Sequence, residues 1–233
     1  MSGGTGEGPR RVGRPRADRL RADSGRPPRE ELLRAAAELF TVRGYAATTT
    51  RAVAERAGMR QATMYHYFGG KEELLAELLE STVAPSLELS RRLLADTGRP
   101  AAVRLWELCR SDVLLLCGGP YDLGALYLLP ELRGRRLAGF RRMRGELRDG
   151  YRALLAATPA GAALAADGDG AALALRNDLV FGLIEGVMLV RRSDPARPVA
   201  AFAEAAADAA LRIAGLTPPD PLPSPRGPAR PGG

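Results

Sequence analysis

Apolar residues recur at helical spacing along most of the chain. Leu32, Leu33, Ala36, Ala37, Leu39 and Phe40 mark one face of a helix that starts after Pro27-Pro28. Proline is tolerated in a first helical turn, and Glu30 and Glu31 suit the positive end of the dipole. Gly44 supplies a left-handed residue to end it. A second helix follows the Thr48-Thr49-Thr50 run, with Thr49 as N-cap, covers residues 50–57 and stops at Gly58. A third runs from Gln61 to Phe68, and Gly69-Gly70 breaks the chain before a long helix over 71–95. Further amphipathic helices are predicted over 100–117, 122–131, 133–157, 170–192 and 197–215, separated by Gly- and Pro-rich breaks. Residues 1–26 and 217–233 lack this periodicity and are expected to be a disordered arm and tail. The pattern predicts an all-α protein, with a three-helix unit over 27–70 and a larger helical unit over 71–216.

Composition agrees. The hydrophobic fraction is 45% but aromatics are only 5%, and Ala and Leu, both good helix formers, fill the gap. The net charge of +7 is unevenly spread. Residues 1–75 hold thirteen Arg and Lys71 against nine acids, a net of +5, and the remainder shares +2. A basic N-terminal third points to a polyanion partner. A general preference for Arg also contributes, because Lys71 is the only lysine. Arg10, Arg11, Arg14 and Arg16 sit in the arm, where they suit a narrow minor groove or simply a solvated tail.

Several chemistries are disfavoured. His66 is the only histidine, so neither a multi-histidine metal site nor a conventional Ser-His-Asp triad with a second base is available. No Gly-rich phosphate loop or nucleophile motif is present; no catalytic residue, metal or cofactor is expected. Cys109 and Cys117 lie eight residues apart, roughly 12 Å along a helix axis, too far for a disulfide. They read as buried small residues in a reducing, cytoplasmic protein. No membrane span or signal-peptide pattern is seen, so no membrane partner is expected.

The stretch from Thr50 reads as a helix-turn-helix. Val53 faces inward, Ala54 is small enough for a close helix crossing, and Gly58 makes the turn. Met59 plugs the corner, and Met64 and Tyr67 return to the core. Tyr67 and Phe68 both read as core residues. Gln61, Ala62, Thr63, Tyr65 and His66 remain on an outer face of small and polar side chains suited to a major groove.

Around it lie Leu33-x-Ala35-Ala36-x-x-Leu39-Phe40, Gly44-Tyr45-x-x-Thr48-Thr49, Val53-Ala54-x-x-Ala57-Gly58 and Thr63-x-Tyr65-x-Tyr67-Phe68-x-x-Lys71-Glu72-x-Leu74. Over these residues the chain resembles the TetR (tetracycline-repressor) family of bacterial regulators. The resemblance implies a DNA-binding regulator, more often a repressor, released from a palindromic operator by a small-molecule effector. It places Thr49 and Thr50 near phosphate, Arg51 at backbone or base, and Gln61, Ala62 and Thr63 in the groove. Tyr65 and His66 would grip phosphates or base edges, and Lys71 would bind phosphate. Arg60 departs from the family's frequent Ser before the recognition helix: it cannot cap, but it brings a cation to the DNA surface. Plainer readings stand beside these: His66 as an exposed polar residue, Lys71 as an ordinary helix start, and the chain as a non-specific architectural DNA-binding protein.

The resemblance also implies that the remainder binds the effector and forms a homodimer. Residues 178–190 are apolar nearly all round, and Gly182 and Gly186 would allow a close helix approach. Phe202, Ala205, Ala206, Ala209, Ala210 and Ile213 offer a small-residue face on the last helix; an intramolecular core is the alternative. Trp106, Tyr127, Met143, Tyr151 and Phe181 are bulky candidates for lining an effector pocket, or plain core. Glu185 is an acid in an apolar helix: it binds a ligand cation, pairs with Arg, or faces water.

Overall fold

Pro28 and the two glutamates that follow it start the first helix, α1 (Pro28–Val42), and Gly44 at φ +88° turns the chain after it. In the computed structural model, which describes residues 25–218, nine more α-helices follow. They are α2 (Thr50–Arg56), α3 (Gln61–Tyr67), α4 (Lys71–Ser81), α5 (Ala84–Ala95) and α6 (Ala101–Cys117), then α7 (Ala138–Ala156), α8 (Pro159–Ala166), α9 (Gly170–Ser193) and α10 (Val199–Ile213). Among the described residues all regular structure is helical, as the periodicity predicts. The expected arm and tail fall almost wholly outside the described residues, and so do Arg10, Arg11, Arg14 and Arg16.

Helix α2 packs on both α1 and α3 to form the N-terminal head, and α4, packed on α1 and α7, carries the chain from α3 into the body. The body is built on α6, which packs against α5, α7, α9 and α10. Its core is mostly aliphatic, with Leu105, Leu108, Leu154 and Ile184 fully buried. Tyr151 and Phe181 meet edge to face there, 5.4 Å between centroids.

The structure corrects four expectations. The helix expected over 71–95 is two: α4 ends at Ser81 and α5 starts at Ala84, with Pro85 in its first turn. Pro85 has no N–H and would clash with the carbonyl of Ser81 in a continuous helix. The helix expected over 122–131 is a chain of 3-10 turns, Leu123–Leu128, Pro130–Arg133 and Arg135–Leu137, and α7 begins only at Ala138. Leu129, held extended before Pro130 (ψ 135°), interrupts any α-helix there. Helix α8 was not expected, because Pro159 reads as a breaker. It is instead the first residue of the helix, capped by Thr158, whose hydroxyl accepts from Gly161 N–H at 3.1 Å. The small-residue face of α10 is divided: Ala206 and Ala210 are buried inside the chain, while Ala205 and Ile213 stay exposed.

The cysteines are free and buried. Burial raises the Cys109 thiol pKa far above its usual range, which leaves it an unreactive apolar group. No helix among the described residues is long and apolar enough to cross a membrane, and none of their acidic, His and Cys side chains group to hold a metal ion.

Candidate nucleic-acid interface

Two short helices, α2 and α3, present the candidate surface, and the turn between them is closed by the backbone. Gly58 adopts φ +69°, and the N–H of Met59 donates to the Ala54 carbonyl at 2.8 Å. A side chain at Gly58 would be strained in that conformation. Val53, Ala54 and Met64 are fully buried where α2 and α3 meet the head core.

At the start of α2, the Thr49 hydroxyl accepts from Ala52 N–H at 3.1 Å, the cap expected of it. Helix α3 has no such cap. Arg60 takes the extended N-cap conformation (φ −79°, ψ 149°), but its side chain caps nothing. One of the first-turn N–H groups of α3, Thr63 N–H, is served by the Arg60 carbonyl alone.

The outer face carries a small hydrogen-bond network. Thr50 Oγ1 lies 3.2 Å from the Tyr65 hydroxyl and accepts from Gln61 Nε2 at 3.0 Å. The first residue of α2 thereby fixes two side chains of α3 in register, with Tyr65 still half exposed. Ala62 and His66 are exposed beside them, and Thr63 is partly buried. Arg51 is held along α2 by Glu55, 2.8 Å away, and both remain exposed. Tyr67 departs from expectation. It is 40% exposed, whereas its neighbour Phe68 is buried. At Phe68 the chain leaves the helix for an extended conformation, which turns that ring inward instead.

Lys71 is more constrained than a surface phosphate ligand. Its ammonium donates to the carbonyls of Tyr45 (3.1 Å), Ala46 (3.3 Å) and Thr48 (3.3 Å), and it sits 4.4 Å from the centre of the Tyr45 ring. Three donors meet three acceptors, so the side chain ties the start of α4 to the loop before α2. Burial, with Glu72 and Glu131 nearby, raises the Tyr45 hydroxyl to about 12, so it stays neutral.

Other residues of the head were missed. The buried Thr48 hydroxyl donates toward the carbonyls of Leu39 and Gly44 and closes the α1–α2 loop; its places in the threonine run and in the Gly44-Tyr45-x-x-Thr48-Thr49 pattern are the signals it leaves in the sequence. Glu38 of α1 pairs with Arg56 of α2 at 2.7 Å and accepts from the Tyr121 hydroxyl at 3.3 Å. The hydrogen bond from Arg56 is the main reason its carboxyl pKa falls below the ordinary value. No sequence spacing links residues so far apart.

The expected pocket residues separate into two groups. Tyr127 and Glu185 line a cavity of about 450 Å³ between the 3-10 turns, α7 and α9. Phe140, Arg141 and Arg144 of α7 complete that side of it and were not singled out from sequence. Trp106 instead faces α10, where its indole N–H donates to Asp208 at 2.8 Å. Tyr151 and Phe181 are buried core, and Met143 is partly buried against it. Of the three readings open for Glu185, the structure selects pairing with Arg: both oxygens accept from Arg144. The Tyr127 hydroxyl also reaches Thr82, 2.6 Å away, at the break between α4 and α5.

Behind the cavity, Asp112 is a fully buried carboxylate. It accepts from Ser86 at 2.7 Å and from the Tyr151 hydroxyl at 2.9 Å. Burial raises its pKa to about 6 despite those two donors.

A helix-turn-helix head joined by one helix to an all-helical body with a half-open cavity is the architecture these elements define. The family description "Bacterial regulatory proteins, tetR family" matches residues 32–78. The chain is 40% identical to AmtR of Mycobacterium smegmatis, whose crystal structure it matches at a TM-score of 0.67 over 84% of this chain and 99% of that one. A TetR-family regulator from Bordetella parapertussis 12822 shares the fold at 21% identity and a TM-score of 0.64, over 78% of this chain and 93% of that one. The HTH-type transcriptional repressor KstR2 of Rhodococcus jostii (strain RHA1) is 46% identical over 65 residues, 28% of this chain and 31% of that protein. That match therefore spans about a third of the repressor's length. The chain belongs to the TetR family of bacterial regulatory proteins.

Proposed function

We propose that the protein is a sequence-specific DNA-binding transcriptional regulator that represses from a palindromic operator and is released by a small-molecule effector. The observation that carries this reading is the Thr50–Gln61–Tyr65 network, which pre-arranges an exposed polar face on α3. Side chains already held in one geometry lose less freedom on binding, and polar groups at that face suit base edges. KstR2, matched over 65 residues, is named a transcriptional repressor.

In this reading Gln61, Ala62 and Thr63 enter the major groove, with Tyr65 and His66 at bases or phosphates. Thr49, Thr50, Arg51 and Arg60 face the backbone. Lys71 acts indirectly, by fixing the loop that carries Thr49 and Thr50, and its charge adds to the field felt by phosphate. Two copies pair through α9 and α10. On α9, Leu175, Leu179, Leu189 and Val190 are exposed, and among the described residues no neighbouring element comes within 4 Å of where a Cβ at Gly182 or Gly186 would stand. A two-fold pair presents two heads to two half-sites.

Release begins in the cavity. Tyr127 forms part of its wall and also holds Thr82 at the end of α4. A ligand that displaces Tyr127 moves α4, and α4 begins at Lys71. Two fold relatives are solved with small molecules, SmeT with triclosan and the FadR of Bacillus subtilis with stearoyl-CoA. Selection of random DNA fragments by the purified protein tests the proposal: enrichment of a palindrome supports it, and salt-sensitive binding without any enriched sequence contradicts it.

A further inference from the structure

The charges around the cavity are lopsided. Apart from its polar rim the wall is apolar, with Leu128, Leu132, Phe140 and Met188 around Tyr127. Its only acid is Glu185, set against Arg133, Arg141 and Arg144. Both Glu185 oxygens accept from Arg144, which neutralises its charge and lies over the Phe181 ring, 5.3 Å from its centre. An entering cation would meet a carboxylate already neutralised by Arg144, with the charges of Arg133 and Arg141 opposing it. Asp112, the nearby buried acid, is occupied by Ser86 and Tyr151 and does not line the cavity.

Arg133 and Arg141 are placed differently. Neither makes an ion pair among the described residues, and Arg141 is steadied instead by the carbonyls of Leu132 and Gly134. Two guanidinium groups in the wall of an apolar cavity, without carboxylate partners among the described residues, have the charge that an anion with a hydrocarbon or aryl body calls for.

We infer that the effector is an apolar carboxylic acid, its carboxylate held by Arg133 and Arg141 and its body against Tyr127 and Phe140. This rests on the effector-cavity reading above and names the chemistry of that site.

Calorimetric titration of the full-length protein with decanoate and decyltrimethylammonium, each below its micellar concentration, and with decan-1-ol below its solubility limit tests it. Decanoate is expected to bind more tightly than the alcohol, and the cation not at all. In the double variant Arg133→Gln, Arg141→Gln, decanoate affinity is expected to fall about tenfold while the alcohol is unaffected. Both arginines are exposed, so their loss leaves the core intact. Preferential binding of the cation, no binding of any probe, or an unchanged decanoate affinity in the variant overturns the inference. Parallel measurement of DNA binding separates the two readings. If the alcohol or the cation binds at least as tightly as decanoate and releases DNA, the cavity is an effector site and only the anion assignment fails. Decanoate binding through the arginines with no effect on DNA keeps the anion site and ends the effector reading.

Discussion

Lys71 reaches back across twenty-six residues to donate a hydrogen bond to the carbonyl of Tyr45, 3.1 Å away, while its ammonium sits over the same residue's ring. The single lysine of an arginine-rich chain stands where three carbonyls converge on one point. A compact tetrahedral ammonium satisfies that geometry, and a planar guanidinium does not. Lys71→Arg, despite keeping the charge, is expected to destabilise the protein nearly as much as Lys71→Met, by about 1–2 kcal/mol in denaturant titration. Full rescue by arginine would mean that only the charge matters.

Arg60 separates stability from affinity. Arg60→Ser supplies the missing cap of α3 and is expected to stabilise the protein by about 0.5–1 kcal/mol. The same change removes a cation from the DNA surface, so affinity should fall and the salt slope of binding should shrink by about one. A variant that gains both stability and affinity would exclude Arg60 from the interface.

Tyr127→Phe keeps the ring in the cavity wall and loses the hydrogen bond to Thr82. DNA affinity without effector should change little, and stability should fall by about 1 kcal/mol. Effector-driven release should weaken, because the wall no longer grips the α4–α5 break. Unaltered release, followed by fluorescence anisotropy of labelled DNA, would remove Tyr127 from the coupling route.

Asp112 makes stability depend on pH in a sense opposite to most carboxylates. Its pKa is raised in the folded protein from an ordinary 3.8 to about 6, so between those values the native state holds a proton the unfolded chain has lost. Its contribution is present below about pH 4, declines as pH rises through 6 and is absent above. Asp112→Asn keeps the polar shape without the charge. The variant should gain on the wild type between pH 4 and pH 7, by roughly 3 kcal/mol at most. Parallel pH profiles for the two proteins would show that the carboxylate is not titrating there.

The head was legible in the sequence because its determinants are local. Gly58 at the turn, Thr49 at the cap, and Val53, Ala54 and Met64 facing inward all follow from spacing within twenty residues. Tyr67 and Phe68 stand three and four residues after the buried Met64, and helical spacing alone does not show that Phe68, where the chain leaves the helix, takes the inward place and leaves Tyr67 exposed. The body was legible as helices but not as a site. Pro85 and Pro130 break helices that apolar periodicity alone extends through, and Pro159 begins one it was taken to end. The cavity depends on contacts between distant elements, such as Arg144 of α7 with Glu185 of α9, and Thr82 with Tyr127. Trp106 and Tyr151 looked equally suited to a pocket, yet their polar atoms are satisfied within the core by Asp208 and Asp112.

The most direct test of the central claim is binding of the selected palindrome by the double variant Tyr65→Ala, His66→Ala, measured beside its thermal stability and oligomeric state. Both side chains are exposed, so folding and pairing should be retained. Affinity for the palindrome should fall at least about tenfold, while weak binding to unrelated DNA persists. Unchanged affinity in a folded, paired variant would contradict the assignment of α3 as the helix that reads DNA.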